Sequence, residues 1–76
     1  MRYEYSDFFS INPDGSAVSE FPIRILGTNV TMPAGTIFRP GVPFEGYDIA
    51  NLAGHKFKAT IHEEHGDEVL VISKFY

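Results

Sequence analysis

Residues 57–76 read FKATIHEEHGDEVLVISKFY, and this stretch decides the fold. Its first part alternates between apolar and polar side chains, as a half-buried strand does: Phe57, Lys58, Ala59, Thr60, Ile61 and His62. Gly66, set among charged residues, then predicts a turn, and the apolar residues after it predict a returning strand. The sequence therefore predicts a C-terminal β-hairpin.

The returning strand is apolar on both of its faces, because Val69, Leu70, Val71 and Ile72 follow one another without a break. Successive side chains leave opposite faces of a strand, so a second apolar face needs a cover. A short helix, a folded-over loop or another copy of the protein would supply it. Self-association is the functional hypothesis that this pattern favours. The residues predicted for the interface are Val69, Val71, Phe75 and Tyr76, with Tyr3 and Tyr5 as companions.

The chain has 76 residues and no cysteine, so it forms a single small domain, residues 1–76, without disulfides or thiolate metal sites. A domain of this size buries only about 60% of its unfolded surface, and oligomerisation is one common way to supplement so small a core. Two-fold dimers are the commonest assemblies of soluble proteins, so a homodimer is the expected form. Another protein could also serve as the partner.

The net charge of −4 argues against nucleic acid as a partner, because phosphate backbones call for clustered lysine and arginine. The N-terminal residues lack the apolar region of a signal peptide. No apolar run reaches the length that spans a bilayer. The sequence therefore predicts a cytoplasmic protein that binds neither nucleic acid nor membrane.

The rest of the chain consists of short extended runs separated by glycine and proline turns, which predicts a mainly β fold. Residues 48–53 are the one stretch with a helical pattern, with Asp48 at the N-cap and Gly54 after the end. Residues 39–46 hold two prolines and two glycines and predict an ordered loop. We expect a small barrel or roll of five or six strands with one short helix near residues 48–53.

The histidines of the predicted turn raise the question of a metal site, because His62, Glu64 and His65 are all potential ligands. Their spacing differs from the zinc-protease pattern, in which two histidines lie four apart on a helix. A solvated turn whose charges discourage edge pairing explains them better than a metal site does. The sequence predicts no cofactor, and these three residues are the ones that would form a metal site if the turn brought them together.

Three functional hypotheses follow from these patterns. The leading one is a non-enzymatic interaction or accessory protein that self-associates. The second is a small-ligand or metal-binding barrel that uses the loop 39–46 or the His62/His65 turn. The third is a small hydrolase or lyase with a site between protomers, although no serine lies in a nucleophile-elbow pattern and no glycine-rich phosphate loop is present.

Overall fold

Eight short strands form two sheets in the computed structural model, which describes residues 1–76. The strands are β1 (Arg2–Glu4), β2 (Phe9–Ile11), β3 (Ala17–Ser19), β4 (Ile23–Ile25), β5 (Thr31–Met32), β6 (Ile37–Phe38), β7 (Lys56–Glu64) and β8 (Asp67–Phe75). Two 3₁₀ helices complete the structure, at Tyr5–Asp7 and Ile49–Leu52.

The larger sheet has the strand order β1-β7-β8-β4-β5. Its centre is the antiparallel hairpin of β7 and β8, joined by the two-residue turn His65–Gly66. Both turn residues have positive φ, 52° and 86°, which is the backbone that matches the twist of a tight hairpin. On its other side β8 pairs with β4 in parallel, so β8 lies inside the sheet.

The smaller sheet has the order β2-β3-β6 and is antiparallel throughout. The turn between β2 and β3 is closed by hydrogen bonds between Asn12 and Ser16 and by the Asp14 carboxylate, which accepts from the Ser16 backbone and hydroxyl. This is the tight turn that Asn12-Pro13-Asp14-Gly15 favours.

A single apolar cluster joins the two sheets, and aromatic rings dominate it. Phe57 lies at its centre, fully buried, with its ring centroid 5.4–6.2 Å from those of Tyr3, Phe8, Phe9 and Phe75. Such contacts suit ring pairs in tilted or edge-on geometry. The core therefore depends on rings from both ends of the chain.

The structure confirms a mainly β fold and the C-terminal hairpin, but the sheets do not close into a barrel. The predicted count of five or six strands is wrong, because eight strands of mostly two or three residues form two open sheets. The predicted helix near residues 48–53 is a 3₁₀ helix over Ile49–Leu52. Four residues are too few for an α-helix to repay its nucleation cost.

Candidate functional site

The apolar strand β8 is covered within one copy of the chain, which removes the reason for placing a partner on it. Leu70 and Ile72 face the core, and Val69 and Val71 on the opposite face are only 4% exposed. Val69 and Val71, two of the predicted interface residues, are thus already buried within one copy of the chain. Tyr5, the third buried member of the predicted interface, stacks on Phe9 in the core.

Neighbouring polar side chains provide the cover over the two valines. Val71 lies between Thr60 on β7 and Arg24 on β4 in the pairing register. The Arg24 guanidinium forms a bidentate ion pair with the Glu64 carboxylate on β7. Because β8 lies between β4 and β7, this ion pair spans β8. The methylene stem of an arginine shields apolar surface in this way while its charge stays paired.

The remaining predicted interface residues lie where the chain termini meet. Tyr3 and Phe75 are partly buried against the core, in contact with Phe57. Tyr76 is 43% exposed, and its ring lies beneath the Arg2 guanidinium and the Lys74 ammonium, at 4.3 and 4.8 Å. A hydrogen bond with Arg2 lowers the pKa of the Tyr76 phenol. Tyr76 alone among the six is a largely exposed side chain.

The candidate metal ligands do not assemble. Glu64 is engaged by Arg24, and the Nε2 atom of His62 lies 2.9 Å from Thr60 Oγ1. His65 occupies the turn itself with positive φ, where histidine is one of the better tolerated residues. The structure contains no group of three or more histidine, aspartate and glutamate side chains that could hold a metal ion.

The Thr60–His62 contact is the arrangement on this sheet that most resembles a nucleophile with its base. Both residues are exposed on the outer face of β7. A working triad also needs an acid that orients the histidine through its other ring nitrogen. Glu64, the next residue on the same face of the strand, is held by Arg24 instead, and this hydrogen bond lowers the pKa of Glu64.

The loop 39–46 forms an apolar groove against β5 and β6. The Gly41 N–H donates to both oxygens of Asp48, at 3.1 and 3.0 Å, and Phe44 is buried. The groove has a volume of about 250 Å³, and its walls include Met32, Ile37 and Val42. The loop is thus ordered, and Phe44 anchors it to the core.

The most distinctive surface of the molecule is an unpaired strand edge, which the sequence interpretation missed. Strand β7 has nine residues, but the neighbouring β1 has three and pairs only with Lys56–Lys58. Met1 extends this pairing by exchanging two hydrogen bonds with Ala59. The segment from Thr60 to Glu64 therefore has β8 on one side and no strand on the other. We call this segment the open edge.

The direction of the backbone groups on the open edge follows from the neighbouring bonds. Ala59 directs its N–H toward Met1, and the groups of alternate residues on a strand point the same way. On the side of β8 away from β7, the Leu70 N–H donates to the Pro22 carbonyl. Ile61 lies opposite Leu70 in the hairpin, so the N–H and C=O of Ile61 form no hydrogen bonds with β8. Ile61 and Glu63 thus present free donors and acceptors at the open edge.

No local sequence signal for the open edge exists, because the alternating patterns of residues 1–6 and 57–62 have the same length of six residues. The edge follows only from the pairing of the short β1 with one end of β7. That pairing joins residues more than fifty positions apart, and no local pattern encodes it.

Comparisons with known proteins add no functional information, since no family model, no curated protein and no solved structure matches the chain. None of its helical segments has the length and apolar character needed to cross a membrane.

Proposed function

We propose that this chain is a non-enzymatic interaction module of the cytoplasm that self-associates as a homodimer through the open edge of β7. The observation that carries the proposal is the free backbone of Ile61 and Glu63 on a strand whose other side is fully paired. An exposed edge with unpaired N–H and C=O groups is a template for another strand.

A second copy of the same segment is a suitable partner for this edge. Two antiparallel β7 strands related by a two-fold axis would each offer the other both donors and acceptors. Ile61 is 40% exposed and would gain cover from such pairing. The dimer would thus join two five-stranded sheets into a continuous one.

The expected association is weak, because the open edge is only a few residues long. Interfaces below about 1,200 Å² are typical of transient pairs. We expect a dissociation constant on the order of 100 μM, which corresponds to about 5.5 kcal/mol of binding free energy. Such an interface suits a protein whose assembly depends on local concentration.

Sedimentation velocity between about 10 μM and 1 mM tests the proposal with a matched pair of variants. Ile61→Lys places a charge on the open edge and should give a monomer over the whole range. Ile37→Lys removes a comparably exposed isoleucine from the small sheet and should dimerise like the wild type. Glu63→Pro removes an edge donor and should also give a monomer, with circular dichroism confirming that each variant is folded.

The proposal fails if the wild type stays monomeric up to 1 mM. It also fails if the wild type dimerises and folded Ile61→Lys and Glu63→Pro dimerise equally well. In the latter case the contact lies elsewhere on the molecule.

A second candidate function is supported by the groove of the loop 39–46, whose apolar walls could accept a small apolar ligand. The dye 1-anilinonaphthalene-8-sulfonate would serve as the probe. Val42→Asp at the groove should reduce the dye fluorescence, whereas Val30→Asp, at an exposed valine outside the groove, should not. Equal fluorescence of both variants and the wild type would remove this candidate.

A further inference from the structure

The hairpin β7–β8 carries like charges directly opposite each other at both of its ends. At its base Lys58 faces Lys74, and Arg2 on β1 extends the same row. At its tip Glu64 faces Asp67. We call Arg2, Lys58 and Lys74 the basic row, and Glu63, Glu64, Asp67 and Glu68 the acidic tip.

Cross-strand pairs of like charge destabilise an isolated sheet. The chain offers little compensation of its own, because its ion pairs are Arg24–Glu64 and Lys56–Glu4. No member of the basic row has a carboxylate partner. Arg2 and Lys74 lie over the ring of Tyr76, which is a weaker contact at an exposed site.

The two charged ends are too far apart to neutralise each other within one copy. Six residues separate Lys58 from Glu64 along β7, which corresponds to about 20 Å at the rise of a strand. This distance is more than twice the screening length of about 8 Å at physiological ionic strength. At the tip Glu64 is already engaged by Arg24, so the basic row and the tip residues Glu63, Asp67 and Glu68 remain available to an external opposite charge.

The basic row shares the outer face of the sheet with Glu64 and Asp67 of the acidic tip, whereas Glu63 and Glu68 alternate onto the opposite face. Phe57, Leu70 and Ile72 face the core, so their alternating neighbours Lys58 and Glu64 lie on the outer face. A two-fold axis perpendicular to the sheet keeps the outer faces of two copies on the same side. Antiparallel copies paired along the open edge would then bring the acidic tip of each copy toward the basic row of the other.

We propose that the acidic tip of a second copy is the partner of the basic row, and that this charge complementarity fixes the antiparallel orientation of the dimer. The inference rests on the self-association proposed above. Charge complementarity of this kind sets orientation and excludes other alignments more than it adds affinity. A parallel alignment would place basic row against basic row and tip against tip.

A charge-swap experiment tests the inference in solution. One variant reverses the basic row, Lys58→Glu with Lys74→Glu, and the other reverses the acidic tip, Asp67→Lys with Glu68→Lys. Each alone should raise the dissociation constant of its homodimer at least tenfold. An equimolar mixture should restore association as a heterodimer with roughly the affinity of the wild type, because both contacts are then complementary.

A matched control separates this effect from a change in net charge. The variant Glu20→Lys with Glu45→Lys changes the net charge by the same four units as the tip variant, at exposed positions away from β7 and β8. It should dimerise like the wild type. The dissociation constants are measured by sedimentation equilibrium at 150 mM salt, with the fold of each variant checked by circular dichroism.

The outcomes distinguish this inference from the proposed function. If the wild type dimerises and the swapped variants dimerise equally well, or if mixing restores nothing, the charge inference is wrong and self-association stands. If the wild type is monomeric throughout, the proposed function fails and the inference fails with it.

Discussion

Tyr5 shows how one polar atom joins two distant parts of the chain. Its hydroxyl donates to the Ile49 carbonyl at 3.0 Å, in a buried setting 44 residues away in sequence. A buried carbonyl that loses its donor costs about 1–3 kcal/mol. This bond ties the N-terminal segment to the 3₁₀ helix at Ile49–Leu52.

We predict that Tyr5→Phe lowers the free energy of unfolding by about 1–2 kcal/mol at neutral pH. Burial raises the pKa of the Tyr5 phenol from 10.0 to about 12. The native state therefore holds this proton more tightly than the unfolded chain, and the corresponding stability is lost as pH rises from 10 toward 12. Urea unfolding at pH 8 and pH 11 should show a smaller alkaline loss for Tyr5→Phe. An equal loss in both proteins would contradict this account.

We expect the protonation of Glu64 to account for part of the loss of folding stability at acid pH. The hydrogen bond and ion pair with Arg24 lower the pKa of Glu64 below its ordinary value of 4.5. The unfolded chain then binds this proton more readily, so stability present above pH 4.5 is lost as the pH falls through the native pKa. We predict that Glu64→Gln lowers the melting temperature at pH 7 and flattens its decline between pH 5 and pH 2. Glu63→Gln, beside it but without an ion pair, should leave the decline unchanged, and an equally steep decline in Glu64→Gln would refute the role of this pair.

Among the secondary-structure elements, the hairpin was predictable from sequence and its neighbours were not. The alternation from Phe57 and the polar turn at Gly66 are local signals that predict β7 and β8, but they do not predict the register, which shifts between Lys58 and Ala59. The parallel pairing of β4 with β8 places Ile23 opposite Leu70, and no local sequence pattern near either residue indicates this pairing. This pairing makes β8 an inner strand, which explains why four consecutive apolar residues need no second copy.

The loop 39–46 is connected to the 3₁₀ helix at Ile49–Leu52 by hydrogen bonds to a single carboxylate, that of Asp48. Asp48 accepts the Gly41 N–H and also the Asn51 side-chain amide, at 2.7 Å. Bonds to a charged acceptor are worth about 1.5–3 kcal/mol. We predict that Asp48→Ala speeds hydrogen exchange of the Gly41 amide at least tenfold, as measured by NMR. Asn51→Ala leaves the Gly41 bond in place and should change that exchange little, whereas unchanged exchange in Asp48→Ala would show that the carboxylate does not hold the loop.

For the molecule as a whole, the amino-acid composition limited the possible fold classes but did not determine the architecture. The chain contains seven phenylalanines and four tyrosines, and Phe57 with its surrounding rings forms a dense small core. Whether strands of two or three residues close into a barrel depends on edge pairings between distant segments, and here the two sheets stay open. The open edge is likewise a consequence of β1 being shorter than β7.

The proposed self-association thus rests on different residues from those that the apolar pattern indicated. The pattern placed the contact on the face of β8, which Arg24 and its neighbours cover. The structure instead exposes the backbone of β7, through Ile61 and Glu63. Main-chain pairing depends on strand position more than on side-chain type, so the residue pattern carried little information about it.

The most direct measurement follows the backbone amides of Ile61 and Glu63 by NMR while the protein concentration is raised from 20 μM to 1 mM. Pairing through the open edge predicts that these two amides shift and become slower to exchange with increasing concentration, whereas the edge amides of the small sheet, at Ile11 and Ile37, stay constant. Amides at Ile61 and Glu63 that remain unshifted and fast to exchange at 1 mM would show that the open edge does not pair between copies.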